Sequence, residues 1–543
     1  MSEIWSVPIG ILLVTAIIIF LINRRSQNIG AAWFFAIFAA FAVWGWTISL
    51  YFRNGIIITP LSESVPGLLE ESGIFLNSGN GQFILDGISY PYMLAISALL
   101  VILLLTAPSY MEPKTAPRIW FFFLLTEAIG YLSVSTNNVK FVIYGWVIFD
   151  TIDLVTQYLQ VYPNPLRRGY LTAIGIRFIG TLLAASCLSL SNAELGPDSG
   201  AFISLRAGAF LLTACALRMG ILPISQPYGE MADSRVGLGT MLRLVSILTV
   251  MPVLSRIPLG GLRPDLRSLL GVAAIIASLA GAVGWLLSAN SFNGISYVSL
   301  GVSGMAFICA LKGDQVSLVV WGVSIALTCA PLSLYQIHHR FMNILVLCVV
   351  LCFSGLPYTP NAFGWWGLYT VTNPIQNVVV SLIPLFLISG SFIHIFRTEG
   401  RHFSDLEPWM RSVYPMGYAA SIATHFLIST TQFGEPFSMG VIPMSVGTFV
   451  CSVLFTVLAI RMPKRVMTQN VAAWGRELLS VFWLGMKKLM DMEWLLFAAG
   501  WIRRFLEKVF FAACIVLENN GGIIWEFLLL SFLIAAAFSG EIL

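Results

Sequence analysis

Apolar residues run along this chain in long blocks separated by short polar punctuation, and each block is about the 20 residues that a bilayer-spanning helix needs. A window of about 19 residues picks out roughly 16 such blocks. They are 4–22, 31–52, 88–107, 119–135, 139–161, 171–190, 202–222, 236–254, 269–288, 295–311, 316–337, 341–356, 375–396, 415–430, 441–460 and 523–538. Block 415–430 is the weakest, because it contains His425 and several polar residues. A backbone in hydrocarbon must satisfy its own hydrogen bonds, so blocks of this length predict helices. The shorter, strictly alternating segments of a membrane barrel are absent from the sequence. Block 4–22 ends in Arg24-Arg25 and reads as a first membrane helix rather than a cleaved signal.

Composition agrees with this pattern. Of 543 residues, 57% are hydrophobic and only 10% charged, far below the roughly 25% charge of a soluble chain. The predicted fold class is therefore all-α: a polytopic integral membrane protein of about 14–16 transmembrane helices. The net charge of +4 is spread over short loops, which speaks for membrane orientation and against nucleic-acid binding. Basic residues Arg24, Arg25, Lys114, Arg118, Arg167, Arg168, Arg397, Arg401, Arg461, Lys464 and Arg465 fall on one side, and Glu63, Glu70, Glu71, Glu194 and Asp198 on the other. That bias predicts an N-terminus outside and basic loops in the cytoplasm, in a bacterial inner membrane. Arg256, Arg263 and Arg267 break the rule; either the helix count is off by one there or surrounding charges override it. The eight cysteines lie mostly in apolar blocks without a CxxC pair, so packing is expected of them, and neither a metal nor a cofactor is implied.

The chain divides by pattern into N-terminal helices with an external loop (1–80), a transmembrane core (81–460), and a C-terminal part (461–543). Within the last, residues 464–517 mix Lys487, Lys488, Arg503, Arg504 and Lys508 with Trp474, Trp483, Trp494 and Trp501. Basic, Trp-rich amphipathic sequence lies along a membrane interface, either as a tail folded on the membrane or as a lateral helix strapping neighbours together.

Charges inside the membrane cost about 2.5–3.5 kcal/mol each on insertion scales and so call for a partner or a task. The candidates are Glu127, Asp150, Asp153, Arg177, Arg206 and Arg218, with Asp86 at a helix entrance. Asp150, Asp153 and Gln157 share one helix face. Arg218 stands five residues before Pro223, where the helix should break, and a broken helix beside a buried charge is a common transport site. The alternative for Arg218 is snorkelling to the interface; Arg177 and Arg206 read as structural or interfacial. His338-His339 precede Arg340 at a helix end, where a pH-sensitive and an interfacial role are equally open.

The order of several short elements resembles the antiporter-like membrane subunits of complex I (NADH:quinone oxidoreductase) and of Mrp-type cation/proton antiporters. Phe210–Pro223, FLLTACALRMGILP, resembles the stretch that carries a buried lysine five residues before a proline, with Arg218 at the lysine position. Gly237–Arg256 is similar in spacing to the family's next helix. Ser296–Gly304, SYVSLGVSG, resembles AYSxxSxxG, and Gly355–Pro360 followed by Phe363 resembles the GLPP-T-x-GF element of a second broken helix, with its break at Pro357. Phe83–Tyr92, FILDGISYPY, is similar to the FxxDGLS helix entry. The resemblance covers most of residues 80–370 and implies two broken helices, a lateral amphipathic segment, other membrane subunits as partners besides the lipid bilayer, and protons or Na+ as cargo.

The departures from the family pattern bear on function. The family's proton relay joins one glutamate and several lysines. Here Val147 stands at the glutamate position, with Asp150 one turn later as a displaced substitute. Leu242, Leu248, Phe292 and Trp365 or Trp366 stand near the histidine and lysine positions, and Arg218 is a basic group that cannot give up its proton. Two readings follow: a proton-conducting subunit working through Arg218 with Asp150 or Asp153, with Glu127 as a further pathway candidate, or a structural subunit of the same fold that has lost conduction. A stand-alone enzyme finds no support in the sequence, and a catalytic role would belong to an oxidoreductase complex as a whole.

Overall fold

A computed structural model of the chain describes residues 3–25, 29–53, 85–111, 116–160, 166–195, 203–224, 236–257, 259, 262–288, 291–292, 294–369, 374–397, 401–432 and 442–461, with scattered helical positions between 501 and 531. The chain forms two units, Met1–Trp483 and Leu484–Leu543, and the account below concerns the first. Most of the amphipathic segment 464–517 and of block 523–538 lies outside the described residues.

The predicted all-α class holds. In chain order the helices are α1 (Glu3–Arg25), α2 (Ile29–Arg53), α3 (Ser89–Thr106), α4 (Ala116–Ser135), α5 (Val139–Gln160), α6 (Leu166–Leu195) and α7 (Leu205–Met219). They continue with α8 (Val236–Leu248), α9 (Met251–Ser255), α10 (Pro264–Leu287), α11 (Ile295–Lys312), α12 (Gln315–Ser324) and α13 (Ala330–Leu334). The last are α14 (Arg340–Phe353), α15 (Ala362–Tyr369), α16 (Pro374–Arg397), α17 (Pro408–Gln432) and α18 (Ile442–Arg461). Among the described residues, 11 helical spans are long and apolar enough to cross a membrane.

Contacts at helix ends show that the spans alternate in direction. At one end of the bundle, Trp33 of α2 donates its indole N–H to Leu104 O of α3 at 3.1 Å and stacks edge-on with Trp409 of α17. Phe20 meets Phe121 at the same end, and a two-residue parallel pairing joins Ile337 to Arg401. Arg24, Arg25, Arg118, Arg340 and Arg461 all belong to helix termini on this end, as the charge bias predicts. At the other end Arg256 donates to Asp86 Oδ2 and Ser89 Oγ, both at 2.7 Å, and to Thr136 O at 3.3 Å. Arg267 there donates to Leu311 O. The loop that broke the charge rule is thus explained by local partners: two of its three arginines are consumed by a carboxylate and by carbonyl groups.

Close approach between helices comes from small residues. A Cβ on Gly281 of α10 would stand 2.6 Å from Tyr297 O and 2.9 Å from Gly301 Cα of α11, and one on Gly304 would stand 2.9 Å from Ala274 O. Ser278 donates across the same seam to Gly301 O at 2.5 Å.

Two spans are not plain α-helices. Between α12 and α13, Ile325–Cys329 adopts a π turn, a form that frees carbonyls and recurs at functional sites. Pro331 lacks the N–H that would serve Leu327 O, and Ser421 of α17 donates to that carbonyl instead, at 2.5 Å. Tyr418 and Tyr414 of the same helix donate to Pro331 O and Leu334 O at 3.1 and 2.9 Å. Block 415–430, weak by hydropathy, is part of a 25-residue helix in which Tyr414, Tyr418, Ser421, Thr424 and His425 are buried.

The second irregular span is the predicted second broken helix. It is helical as α14, open over Ser354–Asn361 around Pro357, and helical again as α15. Several of the backbone groups freed here meet side chains, as an apolar surrounding demands. Asn361 Nδ2 and Trp365 Nε1 donate to Phe353 O at 3.2 and 3.3 Å, and Trp321 Nε1 donates to Gly364 O at 2.8 Å. Lys312 closes the far end of α15, donating to Gly367 O and Leu368 O at 2.6 and 2.7 Å.

Candidate functional site

The first helix break lies where Arg218 and Pro223 predicted it. Helix α7 ends at Met219, one residue after Arg218, and Gly220 takes the left-handed conformation (φ 77°) that a residue with a Cβ resists. The N–H groups of Ile221 and Leu222 both turn back to Ala216 O. Pro223 follows in the turn, four residues after the last helical position.

Arg218 does not snorkel. Its side chain is fully buried, and its guanidinium grips Asp150 of α5 with two hydrogen bonds, Nη1 to Oδ2 at 2.7 Å and Nη2 to Oδ1 at 3.2 Å. Nη1 also donates to Thr181 Oγ1 of α6 at 2.7 Å. The cation lies over the Trp146 ring, 4.5 Å from its centroid, a desolvated cation–π contact. Gly180 makes this approach sterically open, since a Cβ there would stand 3.0 Å from Arg218 Cγ.

Arg177, expected from sequence to be structural or interfacial, is not at the interface: it is buried in the same cluster. Its guanidinium donates to Asp153 Oδ2, its Nε stands 3.6 Å from Asp150 Oδ1, and Nη1 donates to Ser246 Oγ of α8 at 3.3 Å. Asp150 and Asp153 are both completely buried. Two carboxylates from α5 and two guanidinium groups from α6 and α7 therefore form one charge-balanced quartet beside the first helix break. Arg206 behaves as expected of an interfacial residue, 86% exposed and loosely paired with Glu194 at 3.8 Å. The side chain of Gln157 lies outside the described residues.

The family's glutamate position is replaced in space as well as in sequence. Val147 is exposed on the outer face of α5, whereas Asp150, one turn on, points inward. The offset of three residues rotates the carboxylate onto the face that meets Arg218.

Arg243 of α8 was not among the sequence candidates. It is buried and donates through Nη1 to Ser296 Oγ of α11. Arg243 and Ser246 are three residues apart on one face of α8, so that face carries both the hydroxyl bonded to the quartet and the arginine bonded to α11. The available signal was an arginine inside the apolar run MLRLVSIL. Glu127 of α4 stands apart from the quartet: it is fully buried, and neither carboxyl oxygen has a hydrogen-bond partner among the described residues. Among those residues no group of three or more His, Cys, Asp or Glu could hold a metal ion.

No family model matches the sequence, and no curated protein matches it. Solved structures do match its fold. A chain in the structure of the Mrp complex from Dietzia sp. DQ12-45-1b is similar with a TM-score of 0.65 at 12% identity, over 99% of this chain and 63% of that one. The chain thus spans less than two thirds of that Mrp chain's length. A chain of the membrane-bound sulfane sulfur reductase, an archaeal respiratory membrane complex, is similar with a TM-score of 0.61 at 14% identity, over 97% and 99% of the two chains. This protein therefore has the fold shared by membrane chains of the Mrp complex and of a respiratory complex, the fold that its antiporter-like sequence elements implied.

Proposed function

We propose that the chain is a proton-conducting, antiporter-like subunit of a multi-subunit membrane assembly of the Mrp or complex I kind. The observation that carries this reading is the buried quartet of Asp150, Asp153, Arg177 and Arg218 beside a broken helix. Arginine holds its proton, so the arginines supply fixed positive charge and the carboxylates are the groups that can exchange one. Asp150 is the pivot, because it faces both Arg218 and Arg177. A proton on Asp150 would leave two guanidinium groups opposite one carboxylate, an excess charge in an apolar interior that favours onward movement. The fold's occurrence in the Mrp complex and in a respiratory membrane complex supports partner subunits; protons or Na+ as cargo follow from the resemblance of the sequence elements to antiporter-like subunits.

One observation favours the alternative, a structural subunit without conduction: the quartet is charge-balanced, each of its four groups having an ionic partner, and it ties three helices together. Reconstitution separates the two readings. Liposomes carrying the protein, with its partner subunits where these are required, should dissipate an imposed proton gradient. Arg218→Ala and Asp150→Asn should abolish the flux; equal leakage in wild type and both variants would remove conduction from the account.

A further inference from the structure

The quartet leaves one buried acid unused. Glu127 is fully buried at the middle of α4, and both carboxyl oxygens lack a hydrogen-bond partner among the described residues. Two nearby hydroxyls in sequence and register share that state, Thr126 Oγ1 on α4 and Thr240 Oγ1 on α8.

Helix register shows where this acid stands. Phe123 of α4 lies against Gly237 of α8, and a Cβ on Gly130 would collide with Val245 of α8 and lie 3.7 Å from Ile96 of α3. Phe123, Thr126, Glu127 and Gly130 form one stripe of α4, with i, i+3, i+4 and i+7 spacing. Glu127 therefore sits on the α4 face turned to α8, level with the turn that holds Thr240. On the other side, a Cβ on Gly145 of α5 would collide with Ser133. Followed back along these antiparallel helices, that contact sets Asp150 level with Ala128. Glu127 thus lies at the membrane depth of the quartet, one helix away from Asp150.

The titratable and charged groups with described side chains on the helices packed against α4 are Tyr51 of α2, Tyr90 and Tyr92 of α3, Lys140, Tyr144, Asp150 and Asp153 of α5, Arg243 of α8, and Arg24 and Arg25 at the end of α1; Lys140 stands at the first turn of α5 and Tyr144 is exposed. Tyr131, one turn from Glu127 on α4 itself, has its hydroxyl engaged with Thr47 Oγ1 at 3.1 Å. The two aspartates are matched by the two arginines of the quartet, and Arg243 is turned to Ser296 of α11. Nothing among these neighbours forms an ion pair with Glu127.

An ionised carboxylate with neither counter-ion nor donor is costly in such an interior, and binding a proton removes the cost. Buried polar groups without a protein partner are commonly served by internal water, which could carry that proton. The geometry points to Glu127 as a second proton-binding site between α3, α4 and α8, one that takes a proton from internal water and returns it there. On uptake an O–H bond of a protonated internal water breaks as the carboxyl O–H bond forms, leaving neutral water; release reverses both, and no other bond changes. The inference extends the proposed proton-conducting reading, but proton binding at Glu127 does not require flux through the quartet.

Infrared difference spectroscopy of the full chain in lipid, in H2O and D2O, tests it. A protonated-carboxyl C=O band should appear and vanish reversibly during a pH titration, shift in D2O, and be lost in Glu127→Gln. The band should persist in Asp150→Asn, which separates this site from the quartet even where flux fails. Should Glu127→Gln not fold, Glu127→Asp should shift the band without abolishing it. A band that does not change with pH, or that survives unaltered in Glu127→Gln and Glu127→Asp, would overturn the inference. So would a response to Na+ in the absence of any response to pH.

Discussion

Asp150 and Arg218 meet through both oxygens of the carboxylate and both terminal nitrogens of the guanidinium, at 2.7 and 3.2 Å, with the two side chains wholly excluded from solvent. They stand 68 positions apart in the chain, the carboxylate on α5 one turn from the expected position and the arginine in the last turn of α7. Arg177, 3.6 Å from Asp150, makes the pair a network.

Removing one member of this pair should destabilise more than removing both. Asp150→Leu and Arg218→Met should each cost about 3–5 kcal/mol, because each leaves an uncompensated buried charge. The double variant should recover most of that loss, since apolar replacement of a buried pair is often neutral. Thermal unfolding in detergent of the two single variants and the double variant measures the coupling; additive losses would mean that the two charges do not depend on each other.

Gly180 should be a control point for the site. A side chain there meets Arg218 Cγ at 3.0 Å, Ala214 O at 3.1 Å and Leu217 Cβ at 3.4 Å. Gly180→Val should push α7 away from α6, cost about 1–3 kcal/mol through overpacking, and lower proton flux together with stability. Flux and melting temperature, measured on one preparation, check this.

Much of this arrangement was legible in the sequence, for physical reasons. Span lengths are fixed by bilayer thickness, and the breaks announce themselves through Gly220, Pro223 and Gly355–Pro360, residues that interrupt a helical ladder. That Arg218 would pair with Asp150 or Asp153 followed from the need of any intramembrane charge for a partner. That Arg177 joins the same cluster was not legible, because sequence places a residue along the membrane normal but does not say which helix it faces. Arg243 escaped notice amid apolar neighbours, and its partner Ser296 lies 53 residues away. The π turn of Ile325–Cys329 left no local trace, since the hydroxyls of Ser421, Tyr418 and Tyr414 that accompany it come from α17. His425 and several polar residues, Ser421 among them, made block 415–430 look weak as a span.

The α10–α11 seam should tolerate no added carbon. Gly281→Ala places a methyl group against Tyr297 O and the Gly301 backbone, atoms that cannot rotate away. The helices must separate, and a loss of about 1–3 kcal/mol is expected. Gly271→Ala on the same helix, whose nearest neighbour would be Leu311 Cδ1 at 3.7 Å, should be nearly neutral. Melting temperatures of the two variants should differ accordingly.

Membrane sidedness has an equally direct check. Ser404, beside the basic end, and Ser268, near the Arg256–Asp86 end, are both exposed and belong to opposite ends of the bundle. In a cysteine-free background, Ser404→Cys should react with an impermeant maleimide only from the cytoplasmic side, and Ser268→Cys only from outside. Reversed labelling would invert the proposed orientation; labelling of both from one side would contradict the alternation of the spans.

The double variant Asp150→Leu/Arg218→Met gives the most direct test of conduction, because it removes the charges while keeping the bulk and leaves Arg177 and Asp153 paired. The measurement is its proton flux in liposomes, beside wild type, at matched protein content and comparable melting temperature. The account predicts a folded protein whose flux falls to that of empty liposomes. Undiminished flux through a folded double variant would contradict it and return the quartet to a purely structural role.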